Sequence, residues 1–161
     1  MLNKAMILHE LNLARIAHER WVKRAEHLIS GMPIEKEFIP LEPDSCGFGK
    51  WFYGLVGQKL NAIYIFEPTM KQIETYHDKL HEIYGNIYDI FFVNPEKRSL
   101  FYKIITFNSK KVSSSDKKRA DEYLIQMQET SKELLRLITK LEKAIKDADI
   151  TVLQRLSNSA V

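Results

Sequence analysis

A chain of 161 residues with 45% hydrophobic and 28% charged side chains has the composition of one globular domain, and it is too short for two well-packed domains. No apolar run approaches the ~18 residues that a membrane span needs, and charges interrupt the first residues too early for a secretory signal, so we expect a cytoplasmic protein. The formal charge of +3 is too small to suggest a nucleic-acid partner.

The first predicted element is a helix over residues 4–29. It ends at Ser30-Gly31-Met32-Pro33, where a C-cap glycine is followed by a helix breaker. Residues 33–45 contain three prolines and no sustained periodicity, which predicts a connecting loop. The apolar stripe of the helix is predicted to contain Met6, Leu13, Ala17, Trp21 and Leu28.

Two further helices are predicted in the middle of the chain. The second begins near Asp44-Ser45, which are good N-caps, and continues to about Phe66. The third has Pro68 in its first turn and extends to about Val93. The aromatic residues 84–92 also fit a strand, but the chain has no obvious strand to pair with it.

The last predicted helix covers residues 115–147 and follows the N-capping run Ser113-Ser114-Ser115-Asp116. Its apolar residues alternate spacings of four and three, which is a heptad seam that either closes a bundle or pairs with a second copy of the chain. Residues 95–112 are expected to form an insertion with a short helix, and residues 148–161 a frayed tail. The seam consists of Ala120, Leu124, Met127, Ser131, Leu134, Ile138, Leu141 and Ile145.

The histidines contain a candidate metal site. His77 and His81 are four residues apart, so they lie on one face of the third helix, where two imidazoles can bind one metal ion. On the first helix, His18 points opposite to His9 and His27, because nine residues turn a helix by about 900°. We therefore expect His9 and His27 at the surface and His18 on the apolar side, as a ligand or as a core histidine bonded to a carbonyl.

The single cysteine, Cys46, forbids an internal disulfide and is a candidate fourth ligand. It lies at the predicted start of the second helix, where the helix dipole and free N–H groups favour the thiolate. Gly47 and Gly49 allow the backbone to approach a metal or a facing helix closely. Three imidazoles and one thiolate from His18, Cys46, His77 and His81 saturate a tetrahedral Zn²⁺ ion and leave a closed site.

The motif as a whole resembles the chemoreceptor zinc-binding family. The chain has His18-x-x-Trp21, then 24 residues, Cys46-x-Phe48-Gly49-x-Trp51, then 25 residues, and His77-x-x-x-His81. The similarity covers about residues 10–95 well and residues 120–141 more loosely. It implies an all-α fold with an antiparallel four-helix bundle over residues 1–147, which often dimerises, and a packing shell of Trp21, Phe48, Gly49 and Trp51 around the zinc ligands.

The resemblance also implies a function. Such domains accompany bacterial chemoreceptors or diguanylate cyclases as cytoplasmic modules that sense zinc or oxidants such as hypochlorous acid, with roles in chemotaxis and cyclic-di-GMP signalling. Cys46 is then the redox switch, because thiolate is the most oxidisable ligand. This chain has neither a chemoreceptor signalling hairpin nor a cyclase domain, so the output partner is a separate protein or region.

Two alternatives stand beside this interpretation. A structural zinc ion would only hold the bundle together, although a chain with this much apolar periodicity should not need one to fold. A zinc hydrolase would use the same pair of histidines as an HExxH motif, but Asp78 occupies the position of the catalytic glutamate and a fourth protein ligand leaves no place for water. We therefore expect a protein that is not an enzyme.

Overall fold

The computed structural model describes residues 3–93, 112–149 and 151. All regular structure in this part of the chain is helical, which confirms the all-α class. The predicted insertion helix at 95–112, except for Val112, and most of the predicted tail lie outside the described residues. The helices that the structure describes are α1 (Lys4–Ile29), α2 (Gly47–Phe52), α3 (Leu55–Asn61), α4 (Glu67–Tyr88) and α5 (Ser114–Asp147), with a 3-10 turn at Lys36–Phe38 and a π-helical turn at Asp89–Val93.

Helix α1 has the predicted bounds but a different buried face. The side chain of Asn3 caps its start by accepting from the Met6 N–H, and Gly31 follows its end with a φ of 89°. Met6 and Leu13 are 46% and 50% exposed, so the predicted apolar stripe is wrong at these two positions. The true stripe is displaced by one residue at each of them and keeps spacings of four and three along Ile7, Leu11, Ala14, His18, Trp21, Ala25 and Leu28.

The predicted second helix is broken into α2 and α3, so the described residues contain five helices rather than four. Gly54 interrupts the helix in an extended conformation and serves as the N-cap of α3. A side chain at Gly57 would place its Cβ 2.0 Å from the Phe52 carbonyl oxygen, so the tight turn also requires glycine there. The periodicity spans both pieces, and the break arises from glycine, the poorest helix former after proline.

Helix α4 begins one residue before Pro68 and passes into the π-helical turn that ends at Val93. The alternative of a strand over residues 84–92 is therefore wrong. Tyr84, Ile87 and Ile90 are all buried in the core from this continuous helical segment.

Helix α5 closes the bundle. Ser113 caps its start by accepting from the Asp116 N–H at 3.1 Å. Every residue of the predicted seam is buried except Leu124, which is half-buried, and the helix packs against α1 and α4 of the same chain. The three long helices thus share one core, while α2 packs against α1, and α3 against α4. No helix in the described ranges combines the length and apolar character needed to cross a membrane.

Candidate metal site

Cys46 has two structural roles at the start of α2. It is the N-cap of the helix, and its Sγ accepts a hydrogen bond from the Gly49 N–H at 3.1 Å. Its thiol lies 3.3 Å from the Pro43 carbonyl oxygen, to which it donates. A Cβ at Gly49 would lie 1.8 Å from that same oxygen, so the buried position of the sulfur depends on glycine at residue 49.

Helix α4 brings His77 and His81 to this sulfur. Both imidazoles are buried, and their ring centroids are 4.8 Å apart, as expected for residues one turn apart on a helix. The Nε2 atom of His77 lies 3.2 Å from the Cys46 Sγ. Its Nδ1 atom is buried and has no hydrogen-bond partner among the described residues. A buried polar atom without a partner is rare, but it is Nε2 and not Nδ1 that lies beside the Cys46 sulfur.

His81 is oriented by the loop between α1 and α2. Its Nδ1 atom lies 2.7 Å from the Leu41 carbonyl oxygen and donates to it, which leaves the Nε2 lone pair as the available ligand atom. The neighbouring carbonyl of Pro40 accepts from the Trp21 indole at 3.1 Å. Sequence reasoning missed the role of Leu41, because a backbone carbonyl carries no residue-type signal.

The ligand atoms of Cys46, His77 and His81 all lie within 4.8 Å of one another. Sulfur and imidazole nitrogen are the donors that zinc prefers in tetrahedral sites. The 3.2 Å distance between the Cys46 Sγ and the His77 Nε2 is close to the about 3.6 Å that separates such ligands around a tetrahedral zinc ion. The three residues therefore fit a zinc ion, which would neutralise the thiolate and satisfy the imidazole lone pairs.

The structure places His18 beside this group but not within it. The imidazole is buried in α1, and its ring centroid is 6.2 Å from that of Phe48. Its Nε2 atom forms a 2.9 Å hydrogen bond with the Ser131 hydroxyl of α5. Of the four predicted ligands, the structure brings three together and holds the fourth against the C-terminal helix. Ser131 was predicted only as a seam residue.

Burial controls the protonation of these groups in the metal-free protein. Burial first, and then the charge that a protonated His81 would carry, lower the pKa of His18 to about 4 and that of His77 to about 3. Burial also lowers the pKa of His81, against the opposing hydrogen bond to Leu41. All three imidazoles are consequently neutral at pH 7, which is the form that binds metals.

The thiol of Cys46 differs from the sequence-based expectation. Burial raises its pKa, and the hydrogen bonds from the Gly49 and Phe48 N–H groups only partly offset this effect. The predicted preference for thiolate at the helix start is therefore wrong for the metal-free protein, because desolvation outweighs the local N–H groups. A bound cation would supply the missing positive charge and deprotonate the thiol.

The predicted packing shell surrounds these side chains with aromatic rings. The Trp21 ring lies 4.6 Å from that of His81, and the Phe48 ring lies 4.8 Å from that of His77. Trp51 is only half-buried and packs on Phe48, with 5.6 Å between ring centroids. The rings exclude water from the two histidines of α4, which strengthens the interaction of a cation with its ligands.

Residues 18–88 match the model of the chemoreceptor zinc-binding domain. The resemblance seen in the sequence is thereby confirmed over these residues. The zinc-binding domain match begins at His18 and includes Cys46, His77 and His81, whereas α5 lies beyond it. In the same comparisons no curated protein and no solved structure matched the chain.

The other histidines and the acidic residue beside His77 lie away from the group formed by Cys46, His77 and His81. His9 is exposed and His27 is half-buried. Asp78, which stands where a metalloprotease motif has glutamate, is exposed and accepts a hydrogen bond from the Tyr53 hydroxyl at 3.4 Å. Its carboxylate is thus engaged at the surface rather than buried with the ligands.

Proposed function

We propose that the protein is a zinc-binding regulatory domain in which His18, Cys46, His77 and His81 hold one zinc ion. The observation that carries the proposal is the convergence of Cys46, His77 and His81 within 4.8 Å, inside a segment that matches a zinc-binding domain. Three donors from two separate parts of the chain are buried together, and their sulfur and nitrogen atoms are those that zinc prefers. This arrangement is explained by a bound cation.

His18 is the fourth ligand in this proposal. The imidazole is buried, neutral at pH 7 and close enough to His81 for a charge there to lower its pKa. Four protein ligands close the zinc coordination sphere, which suits a regulatory or structural ion rather than a catalytic one. The proposed domain is therefore not an enzyme.

The signal is zinc itself or an oxidant such as hypochlorous acid, with Cys46 as the reactive ligand. In the oxidant route the thiolate sulfur attacks the chlorine of hypochlorous acid and releases hydroxide. Water then displaces chloride from the sulfenyl chloride to give sulfenic acid, a weaker zinc ligand. Because the same sulfur caps α2, its oxidation weakens the metal bond and alters the cap that accepts from the Gly49 N–H.

The proposed biological setting is the one that the resemblance to chemoreceptor zinc-binding domains suggests. The domain acts in the cytoplasm, as a homodimer, on a chemoreceptor or a diguanylate cyclase that receives the signal from it. Exposed apolar side chains on α1, among them Met6 and Leu13, offer surface for contact with a second copy. Light scattering at micromolar concentrations tests the dimer, and a monomeric mass would contradict it.

The metal is tested by elemental analysis of purified variants. We expect one zinc per chain in the wild type, and less than a tenth of that in Cys46→Ala or His77→Ala, because each change removes a buried ligand. His9→Ala is the matched control, since His9 is exposed on the same helix as His18. Full zinc occupancy in both ligand variants would contradict the proposed site.

The oxidant route is tested by titrating hypochlorous acid into the zinc-loaded protein. We expect Cys46 to be modified before the five methionines, with zinc release and a change in Trp51 fluorescence through Phe48. Mass spectrometry and a zinc-sensitive dye follow the two events. If methionines oxidise while Cys46 survives, zinc occupancy is the signal instead.

A purely structural zinc ion is the alternative. It predicts that the metal-free protein loses its fold. The extensive apolar core shared by α1, α4 and α5 argues for a chain that folds without metal. Circular dichroism after chelation separates the two cases, because a regulatory site leaves most of the helical signal in place.

A further inference from the structure

Ser131 is a seam residue of α5, and its side chain contacts His18, the proposed fourth ligand of the metal site. Its hydroxyl forms the 2.9 Å hydrogen bond with Nε2 of His18, and both residues are buried. The bond joins positions 113 residues apart in the sequence and links α1 to α5. Ser131 lies outside the segment that matches the zinc-binding domain.

The same bond explains why His18 stands apart from the other ligands. Cys46, His77 and His81 have their donor atoms within 4.8 Å of one another, whereas no nitrogen of His18 joins that group. A buried neutral imidazole needs a hydrogen-bond partner, and Ser131 supplies it in the metal-free chain. For His18 to bind the ion, it must come closer to the other three ligands.

We propose that Ser131 competes with zinc for His18, so that metal binding transfers this imidazole from α5 to the metal site. This inference rests on the proposed zinc site and adds its regulation. Zinc binding would then break one contact between α1 and α5 and form one between α1 and α4. The C-terminal helix would in this way respond to zinc without contacting the ion itself.

The hydrogen bond favours the metal-free state, so its loss should tighten zinc binding. Without the Ser131 hydroxyl, the buried imidazole has no partner until the metal arrives. We expect Ser131→Ala to bind zinc about 5- to 30-fold more tightly than the wild type, as measured by competition with a chelator of known affinity. A serine that merely oriented a bound ligand would give the opposite sign, since loss of such a partner typically weakens metal binding by about 10- to 100-fold.

Thr130 provides a matched control on the same turn of α5. It is also buried, but its hydroxyl donates to the Gln126 carbonyl of its own helix at 2.7 Å. Thr130→Ala should therefore leave zinc affinity within about twofold of the wild type. In a His18→Ala background, Ser131→Ala should likewise have no effect on the remaining affinity, because the competing pair is already broken.

The outcomes separate this inference from the function on which it rests. If Cys46→Ala and His77→Ala retain zinc, the metal site itself fails. If those variants lose zinc but Ser131→Ala binds it as the wild type does, or more weakly, only the competition is overturned. Unchanged zinc affinity in His18→Ala overturns it as well.

A measurement on the wild-type protein keeps the test decisive if Ser131→Ala does not fold. Nuclear magnetic resonance of the ¹⁵N-labelled histidine rings reports the partner of each ring nitrogen. We expect the His18 ring nitrogens to shift when zinc is added, together with the amide of Ser131. The proposal would be overturned if zinc changed the chemical shifts of the His77 ring nitrogens and left those of His18 unchanged.

Discussion

Helix α5 and the site segment, defined here as residues 39–61, contribute to the same core by different means. Helix α5 buries a regular seam of apolar side chains with spacings of four and three. The site segment is held by backbone instead, through the carbonyls of Pro40, Leu41 and Pro43, which accept from Trp21, His81 and Cys46. Many apolar contacts therefore stabilise α5, whereas the geometry of the metal site depends on a few close approaches of the main chain.

The largest expected effect is that of one methyl group in the site segment. In Gly49→Ala the new Cβ would lie 1.8 Å from the Pro43 carbonyl oxygen, so the loop must move away from Cys46. We expect a loss of about 4 kcal/mol or more in the free energy of unfolding, together with the loss of zinc binding. Urea denaturation and elemental analysis measure the two effects.

Gly85→Ala is the control for this substitution. Its Cβ would meet only a Leu41 methyl group at 4.0 Å, and the residue lies within α4. We expect it to stabilise the protein by about 0.5–1 kcal/mol, because alanine favours the helix. If the two glycine variants behaved alike, close backbone packing would not be what holds the site segment.

The next largest effect is expected from a cavity in α5. Leu134 is fully buried, and Leu134→Ala should lower the free energy of unfolding by about 3 kcal/mol. Zinc content should nevertheless remain at one ion per folded chain, since Leu134 supplies no ligand and the hydrogen bond from the seam to the site is made by Ser131. Ile125→Ala is the control, because Ile125 is 57% exposed on the same helix. Loss of zinc in folded Leu134→Ala would show that the metal site also depends on the apolar packing of α5, which contradicts the comparison.

The last predicted effect is that of acid on the metal-free protein, where each buried histidine contributes less than the Leu134 side chain does. The pKa values of His18 and His77 are lowered to about 4 and about 3, below the usual value of 6.5, so the unfolded chain binds more protons than the folded one between these pH values. Stability is therefore complete above pH 6.5 and falls as the pH decreases, by about 2 kcal/mol for each of the two histidines between pH 7 and pH 5.

This loss of stability in acid distinguishes the two regions, because the titrating histidines belong to the proposed metal site and the apolar seam of α5 has no group that titrates in this pH range. Urea melts of chelated protein at pH 7.5 and pH 5 measure it. A His77→Phe variant should show a smaller loss between the two pH values, as it lacks one of the depressed groups. An equal loss in this variant would assign the acid sensitivity to other residues.

The two regions also differ in how far the sequence predicts them. The bounds of α1 and α5 follow from caps and periodicity, and the seam of α5 follows from its repeat, because regular apolar spacing translates directly into a buried face. The error at Met6 and Leu13 came from selecting neighbouring positions of the same repeat. The break at Gly54 was missed because the apolar pattern continues across it.

The candidate site is predictable only in its residue types. The spacing of His77 and His81 places both on one face of α4, and the position of Cys46 at a helix start follows from its flanking sequence. The carbonyl of Leu41, the hydroxyl of Ser131 and the raised pKa of Cys46 all depend on which distant segments meet. Such pairings carry no local signal in a single sequence.

The position of Cys46 as the helix cap has a consequence for which residues can replace it. Serine or aspartate at residue 46 would cap α2 at least as well, but neither would supply sulfur to the metal. Histidine would supply a metal ligand, but it is larger than the thiol and would have to fit against Pro43 and Gly49. In a saturation-mutagenesis library scored for stability and for zinc retention, position 46 should accept small caps in the first screen, whereas small caps without a zinc-binding side chain, such as serine, should fail in the second.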